Sequence, residues 1–292
     1  MDIMAIDLDH AGTVVRDLDK GRAAYEAMGF RLTAKSQHRG AIEPGGEVQL
    51  LGQGNHCAML QRGYLEVLGI VDSSLPAPAG LYLDKYEGLH IVAMRPRTIE
   101  AALAVAGKGG ALDAPRDLGR QVLFGPEGSE TRPVRFINIR WNATAFPEAT
   151  FLYTEHLTRE TMWQPHLLEH PNRALALDQV FICSPEPALL ADRMSKVLGV
   201  MPQARSDDQV ELQFRESSLV IVTPGALDRL YPGVPAPDRA RPVGYQIRTA
   251  SIDAVSTLLT RNAVPYKPAP GGGLFVGPAH ACGNVIHFIE RN

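Results

Sequence analysis

Two histidines open the case for chemistry. His10 lies in the apolar segment IDLDHAGTVV and His90 in GLHIVAM, and each segment leads into an amphipathic stretch. One histidine at the start of a strand is ordinarily a hydrogen-bonded structural residue. Two at corresponding places in repeated segments ask for a shared purpose. Alternate side chains of a strand face opposite sides, so one inward residue per strand can reach a concave centre. Glu66 in YLEVLG sits on a face otherwise expected to be apolar, and FLYTEHL supplies Glu155 or His156. Two imidazoles with carboxylate oxygen suit a divalent metal ion, Zn, Mn, Ni, Co or Fe, with coordination positions left open for a substrate. The expected metal set is therefore His10, His90 and Glu66 with either His156 or Glu155. Such an ion acts as a Lewis acid toward a small substrate bound to it through oxygen, and Glu66 is the expected catalytic base. Tyr64, His56 and Trp163 are the expected substrate contacts.

The elements that must position these residues recur four times. IDLDHAGTVV precedes DLDKGRAAYEAMGF, GLHIVAM precedes RTIEAALAVAGKGG, LALDQVFICS precedes EPALLADRMSKVLGV, and GYQIRTA precedes SIDAVSTLLTRNAV. Apolar residues at spacings of three and four mark the second member of each pair as a helix. Asp17 and Ser251 are expected N-caps, and Gly29, Gly199 and Asn262 suit left-handed C-terminal caps. Short strand-like runs follow each helix: FRLTAK, HCAMLQ and YLEVLGIV after the first, and QVLFG, VRFINIRW and TFLYTEHL after the second. VELQF and SLVIVT follow the third, and PYKP, GLFVG and NVIHFIE the fourth. The unit is βαβββ, too small to bury its own sheet, so pairs of units close around a common cup. The expected fold is α+β, with four βαβββ modules paired into two domains, residues 1–157 and 174–292. Residues 158–173, which contain Pro165 and Pro171, form the linker, ordered by Trp163.

Composition bounds the function. The chain has 292 residues, 45% hydrophobic and 21% charged, enough for two ordinary globular domains. A net charge of -3 without clustered Lys or Arg argues against nucleic acid. No basic segment with an apolar stretch opens the chain, and no apolar run reaches the ~20 residues that span a bilayer. Cys57, Cys183 and Cys282 form no C-x-x-C pair, as expected of free thiols in the cytoplasm. The expected partner is a small-molecule substrate, with neither nucleic acid nor membrane, and the chain is a monomer or homodimer. His166, His170 and the glycines at 271–273 read as turn chemistry, because no helix follows the glycines to cradle a phosphate.

The segment LDHAGTVVRDLDKGRAAYEAMGFRLT resembles the first unit of vicinal oxygen chelate proteins. That superfamily includes glyoxalase I, extradiol dioxygenases, fosfomycin-resistance enzymes, methylmalonyl-CoA epimerase and bleomycin-resistance proteins. GYLEVLG resembles the closing strand that carries the family's carboxylate, and TEHLTRETMWQPHLLEHPNRA resembles the middle of a glyoxalase-like subfamily of bacterial proteins. The resemblance implies glyoxalase-like domains with ligands on opening and closing strands. His10 and His90 match the opening strands and Glu66 the first closing strand. Aligning FLY with YLE puts Tyr153 at the Glu66 position, whereas the subfamily motif points to His156. The implied activity is that of a metal-dependent lyase or isomerase. The alternatives are an Fe(II) extradiol ring-cleaving dioxygenase and a non-catalytic protein that binds an antibiotic or aromatic compound. In the second half, Gln179 and Gln246 stand at the opening-strand places, SSLVIVT has no carboxylate, and His287 alone remains. The second cup is therefore expected to be structural, or a lid and binding wall. Two-domain extradiol dioxygenases keep their metal in the C-terminal domain, which counts against ring cleavage here.

Overall fold

The computed structural model describes residues 6–40, 42, 46–106 and 111–291. The first unit runs β1 (Asp7–Val15), α1 (Leu18–Ala27), β2 (Ser36–Gly40), β3 (Gln49–Met59) and β4 (Tyr64–Ile70). A short helix α2 (Gly80–Leu83) leads to the second unit, β5 (Gly88–Arg95), α3 (Ile99–Ala106), β6 (Arg116–Phe124), β7 (Glu130–Arg140) and β8 (Thr150–His156). The connection holds α4 (Arg159–Met162) and a 3-10 turn at Pro165–Leu167. The third unit comprises β9 (Ala174–Cys183), α5 (Pro187–Leu198), β10 (Gln203–Ser206), β11 (Gln209–Gln213) and β12 (Ser218–Val222). After α6 (Pro224–Leu230) come β13 (Arg241–Thr249), α7 (Ile252–Arg261), β14 (Lys267–Pro268), β15 (Leu274–Val276) and β16 (Val285–Glu290).

The strands form two eight-stranded sheets, β2-β3-β4-β1-β5-β8-β7-β6 and β10-β11-β12-β9-β13-β16-β15-β14. In each, the first strand of a unit lies parallel to its own last strand and antiparallel to the first strand of the paired unit. The fold is thus α+β, four βαβββ modules in two paired sheets. Among the described residues, no helix is long and apolar enough to cross a membrane.

Local chemistry explains the element ends. The Asp17 carboxylate accepts from the Lys20 backbone N–H and the Ser251 hydroxyl from that of Ala254, each tying down an otherwise unpaired helical donor. Gly199 ends α5 with φ 65, and Gly29 follows α1 with φ 84. Asn262 departs from the expectation: its φ is -90, and the left-handed residue is Ala263 at φ 54. The expected strand FRLTAK is also corrected, since β2 begins only at Ser36. Phe30 is instead anchored by ring contacts with Tyr25, His170 and Phe288, so side-chain packing takes the place of a ladder there. The GKGG that closes the second helix motif, residues 107–110, lies outside the described residues.

The main apolar core is common to both halves. Tyr25 of α1 and Tyr245 of β13, both fully buried, share a hydrogen bond between their hydroxyls, 2.5 Å long. The Tyr153 hydroxyl donates to the Val197 carbonyl of α5. The connecting segment is held at several points besides Trp163. His170 donates through Nε2 to the Met59 carbonyl and accepts the Arg31 N–H at Nδ1, while the Asn172 amide donates to the Met28 carbonyl.

Candidate functional site

A β-bulge sets the position of the first histidine. Leu8 pairs with Met94 and His10 with Ala93, so Asp9 is the extra residue of β1. The insertion lets Leu8 and Ala11 both face the core while His10 turns into the cup. Asp9 itself is fully buried. Its Oδ1 lies 2.9 Å from His10 Nδ1 and 3.1 Å from His156 Nε2. Burial alone would raise the Asp9 carboxyl. The charge of His156 and the hydrogen bonds from both imidazoles outweigh burial and hold it well below the usual carboxylate range. An ionised carboxylate only accepts, so both ring nitrogens donate to it. Tyr64 stacks on His10 with centroids 4.4 Å apart, and Trp163 meets His156 edge-on at 5.0 Å. The Trp163 indole N–H donates to the Leu60 carbonyl, and the Arg159 guanidinium lies over the indole at 3.5 Å. Burial first, then the neighbouring Asp9, pushes the Tyr64 phenol well up, so it stays protonated.

The closing strand separates Glu155 from His156. His156 pairs with Phe136 and enters the cup, whereas the Glu155 carboxylate accepts the Ile99 N–H at the start of α3. Glu290 does the same for Ile252 in the second half. Glu155 is thus a helix cap on the outer face.

Glu66 lies one cup-facing position along from Tyr64, opposite Gly12. Its Oε1 accepts from the Asn55 amide, whose oxygen in turn accepts from Arg120 Nη1 at 2.9 Å. Arg120 belongs to the edge strand β6, so this chain of bonds ties β6 to β3 and β4 across the cup. Burial disfavours the Arg120 charge, but Cys57, Tyr64 and Glu66 around it more than restore it.

The expected pairing of His10 with His90 is overturned by register. In the second sheet Gln179 faces Gln246, and Gln246 faces His287 on β16. In the first sheet the same places are held by His10, Ala93 and Leu152. Ala93 is therefore the counterpart of Gln246, and His90 lies three residues earlier. It is the extra residue of a second bulge, between Leu89 and Ile91. Its Nε2 donates to the Tyr86 carbonyl at 2.9 Å and its ring stacks on Tyr86 at 3.8 Å. Burial pushes the His90 imidazole down to about 4, so it is a neutral packing residue at neutral pH. His56 is likewise not in the cup. It shares a register pair with the core residue Val67, and its Nδ1 bonds the Thr33 carbonyl on the helix side.

The four expected ligands do not converge, because His90 is committed to Tyr86 and Glu66 to Asn55. Among the described residues, no three His, Cys, Asp or Glu side chains stand as a metal-holding group. The residues present do not fit the expected metal set. The thiols offer no substitute nucleophile, since burial pushes Cys57 and Cys282 up to about 12 and Cys183 up to about 11.

In the second cup, the Gln179 amide donates to Ser218 Oγ at 3.0 Å and to Glu211 at 3.3 Å, while Gln246 and Tyr231 both meet His287 Nδ1. Its mouth is a polar cavity of about 300 Å³ lined by Gln179, Arg205, Glu211, Ser218 and Arg291. Asp178 occupies the bulge that Asp9 occupies in β1, but it is held by Arg62 and Arg248. Asp9 escaped the sequence reading, although Asp precedes the key residue in both LDH and LDQ.

Paired βαβββ units around a cup define the vicinal oxygen chelate superfamily, to which this architecture conforms. The glyoxalase-like domain family model matches residues 8–198, and the chain belongs to that family. No curated protein sequence matches the chain. A hypothetical protein from Staphylococcus aureus superposes with a TM-score of 0.65 at 11% identity, covering 98% of this chain and 99% of that one. A mutant 4-hydroxymandelate synthase from Streptomyces coelicolor gives 0.58 at 12% identity, covering 98% and 92%. A variant of homoprotocatechuate 2,3-dioxygenase from B.fuscum, in complex with HPCA, gives 0.56 at 13%, covering 98% and 71%. At these identities the likeness is one of fold.

Proposed function

We propose that the chain is a glyoxalase-like enzyme of the lyase or isomerase type. It moves a proton on a small oxygen-bearing substrate in the first cup. The observation that carries this reading is the buried Asp9 carboxylate shared by His10 and His156. With Nδ1–H given to Asp9, the free lone pair of His10 is at Nε2, where it acts as general base. The shared carboxylate fixes the tautomer and steadies the imidazolium that forms, as in other carboxylate–histidine pairs. Tyr64, protonated, and Arg120, cationic, both belong to the cup and supply hydrogen bonds to an oxyanion that develops beside the departing proton. Trp163 and Met162 pack against the Tyr64 side of the cluster, where the side chain of His10 is only 8% exposed. Substrate entry therefore requires α4 to move. No step is assigned to a metal.

Deuterium wash-in tests this reading. Hydroxyketones and hemithioacetals that raise the melting temperature are incubated with the protein in D2O, with and without EDTA. Exchange at the carbon next to the carbonyl is expected in both, and His10→Gln should slow it about 100-fold or more. Exchange that EDTA abolishes and Zn or Fe(II) restores would return the cup to metal chemistry. Binding without exchange would make the chain a small-molecule binding protein.

A further inference from the structure

Outside the cup, where the two halves meet, Arg95, Arg97 and Arg215 line a cleft of about 350 Å³ together with Asp7 and Pro96. Three guanidiniums face one carboxylate, and that carboxylate is already occupied. Asp7 Oδ1 accepts the Glu216 N–H at 2.7 Å and the Ser217 hydroxyl at 3.0 Å, and Oδ2 lies 3.3 Å from Arg215 Nε. Among the described residues, Arg95 and Arg97 make no ion pair.

The duplicated half shows what is missing. Arg248 stands in β13 where Arg95 stands in β5: each lies two residues beyond the partner of the cup residue, Gln246 or Ala93. Arg248 is neutralised by Asp178, the bulge carboxylate of its own sheet, at 3.0 Å. The bulge carboxylate of the first sheet is Asp9, whose Oδ1 is shared by the two imidazoles, and among the described residues it forms no ion pair with Arg95. Behind the cleft, Arg159, whose guanidinium lies over Trp163, keeps a buried Nη1 without a partner among the described residues. Burial, and then the nearby Arg95, weaken the Arg159 charge. Forked guanidiniums with unspent donors match the geometry of carboxylate and phosphate oxygens.

We propose that this cleft binds a small oxyanion, the phosphate or carboxylate group of a low-molecular-weight ligand, with Arg95 and Arg97 as its principal donors. The site stands apart from the proton transfer proposed for the cup and does not depend on it.

Calorimetric titration at constant ionic strength, with chloride as the balancing anion, tests the site using inorganic phosphate in one arm and malonate in the other. Saturable one-site binding is expected in at least one arm, and the tighter arm identifies the group. Arg97→Ala and Arg95→Gln should each weaken it about tenfold or more, while His10→Gln leaves it unchanged. Arg97 is exposed, so its variant folds irrespective of the outcome. Absence of saturable heat in both arms, or equal binding by wild type and the two arginine variants, would overturn the site. Loss of exchange in the cup with anion binding intact would count against the proposed reaction alone.

Discussion

Asp9 is a buried carboxylate whose cost of burial is met by two imidazoles, so removing it strands both. Asp9→Ala is expected to cost about 3–5 kcal/mol, the range for breaking one side of a buried charged cluster, and chemical denaturation measures it. The folded carboxyl titrates below its unfolded value of about 3.9. Its stabilisation is therefore complete above that value and disappears as pH falls through the folded one. Asp9→Asn should flatten the acid limb of the stability profile. His90 has its own signature. Its folded imidazole titrates at about 4, below the unfolded value of about 6.5. The unfolded chain takes up the proton first, so His90 withdraws stability as pH falls from about 6.5 toward 4. NMR titration of the His90 ring should place its midpoint near 4, and His90→Phe should remove that part of the pH dependence. His10, Glu66 and His156 were legible in the sequence as polar residues on otherwise apolar strands. Asp9 was not, because an acidic residue beside a core leucine reads as solvent-facing unless a bulge is known to lie there.

The repeated strand-helix pattern was plain at the scale of elements, since helical periodicity and N-caps are local. Register is not local. GLH and GYQ look alike, yet the ladder aligns Ala93 with Gln246, and the similar tripeptides lie three residues apart. The bulges of β1 and β5 recur at the same places in β9 and β13, so GLH simply stands three residues earlier in its strand than GYQ, and no pattern of residue types announces the bulges. The close approach behind one of them is testable. A Cβ at Gly12 would sit 2.8 Å from Ile91 Cβ and 3.2 Å from Glu66 Oε2. Gly12→Ala should therefore cost about 1–3 kcal/mol, as overpacked sites do, with thermal unfolding as the readout. Glu155→Ala, by contrast, removes only the cap of α3 and should cost about 1 kcal/mol. It should leave deuterium exchange in the cup unchanged, because Glu155 faces the helix layer.

Over the whole molecule, the two sheets share a core, and Tyr25 and Tyr153 reach across it to Tyr245 and Val197. Calorimetry should show one cooperative transition. Composition and repeat count made two paired sheets readable, but not this union, because it rests on contacts between residues 44 and 220 positions apart. Duplication also explains the division of roles. One bulge carboxylate serves two histidines inside a cup, and its counterpart serves two arginines at the junction. In the proposed reaction the first cup works through Asp9 and His10 and not through a His10–His90 metal pair. Deuterium wash-in by wild type, His10→Gln and His90→Phe, each with and without chelator, decides it. Exchange is expected to resist chelation, to survive in His90→Phe and to be lost in His10→Gln. Exchange that needs added metal and disappears in both variants would contradict it.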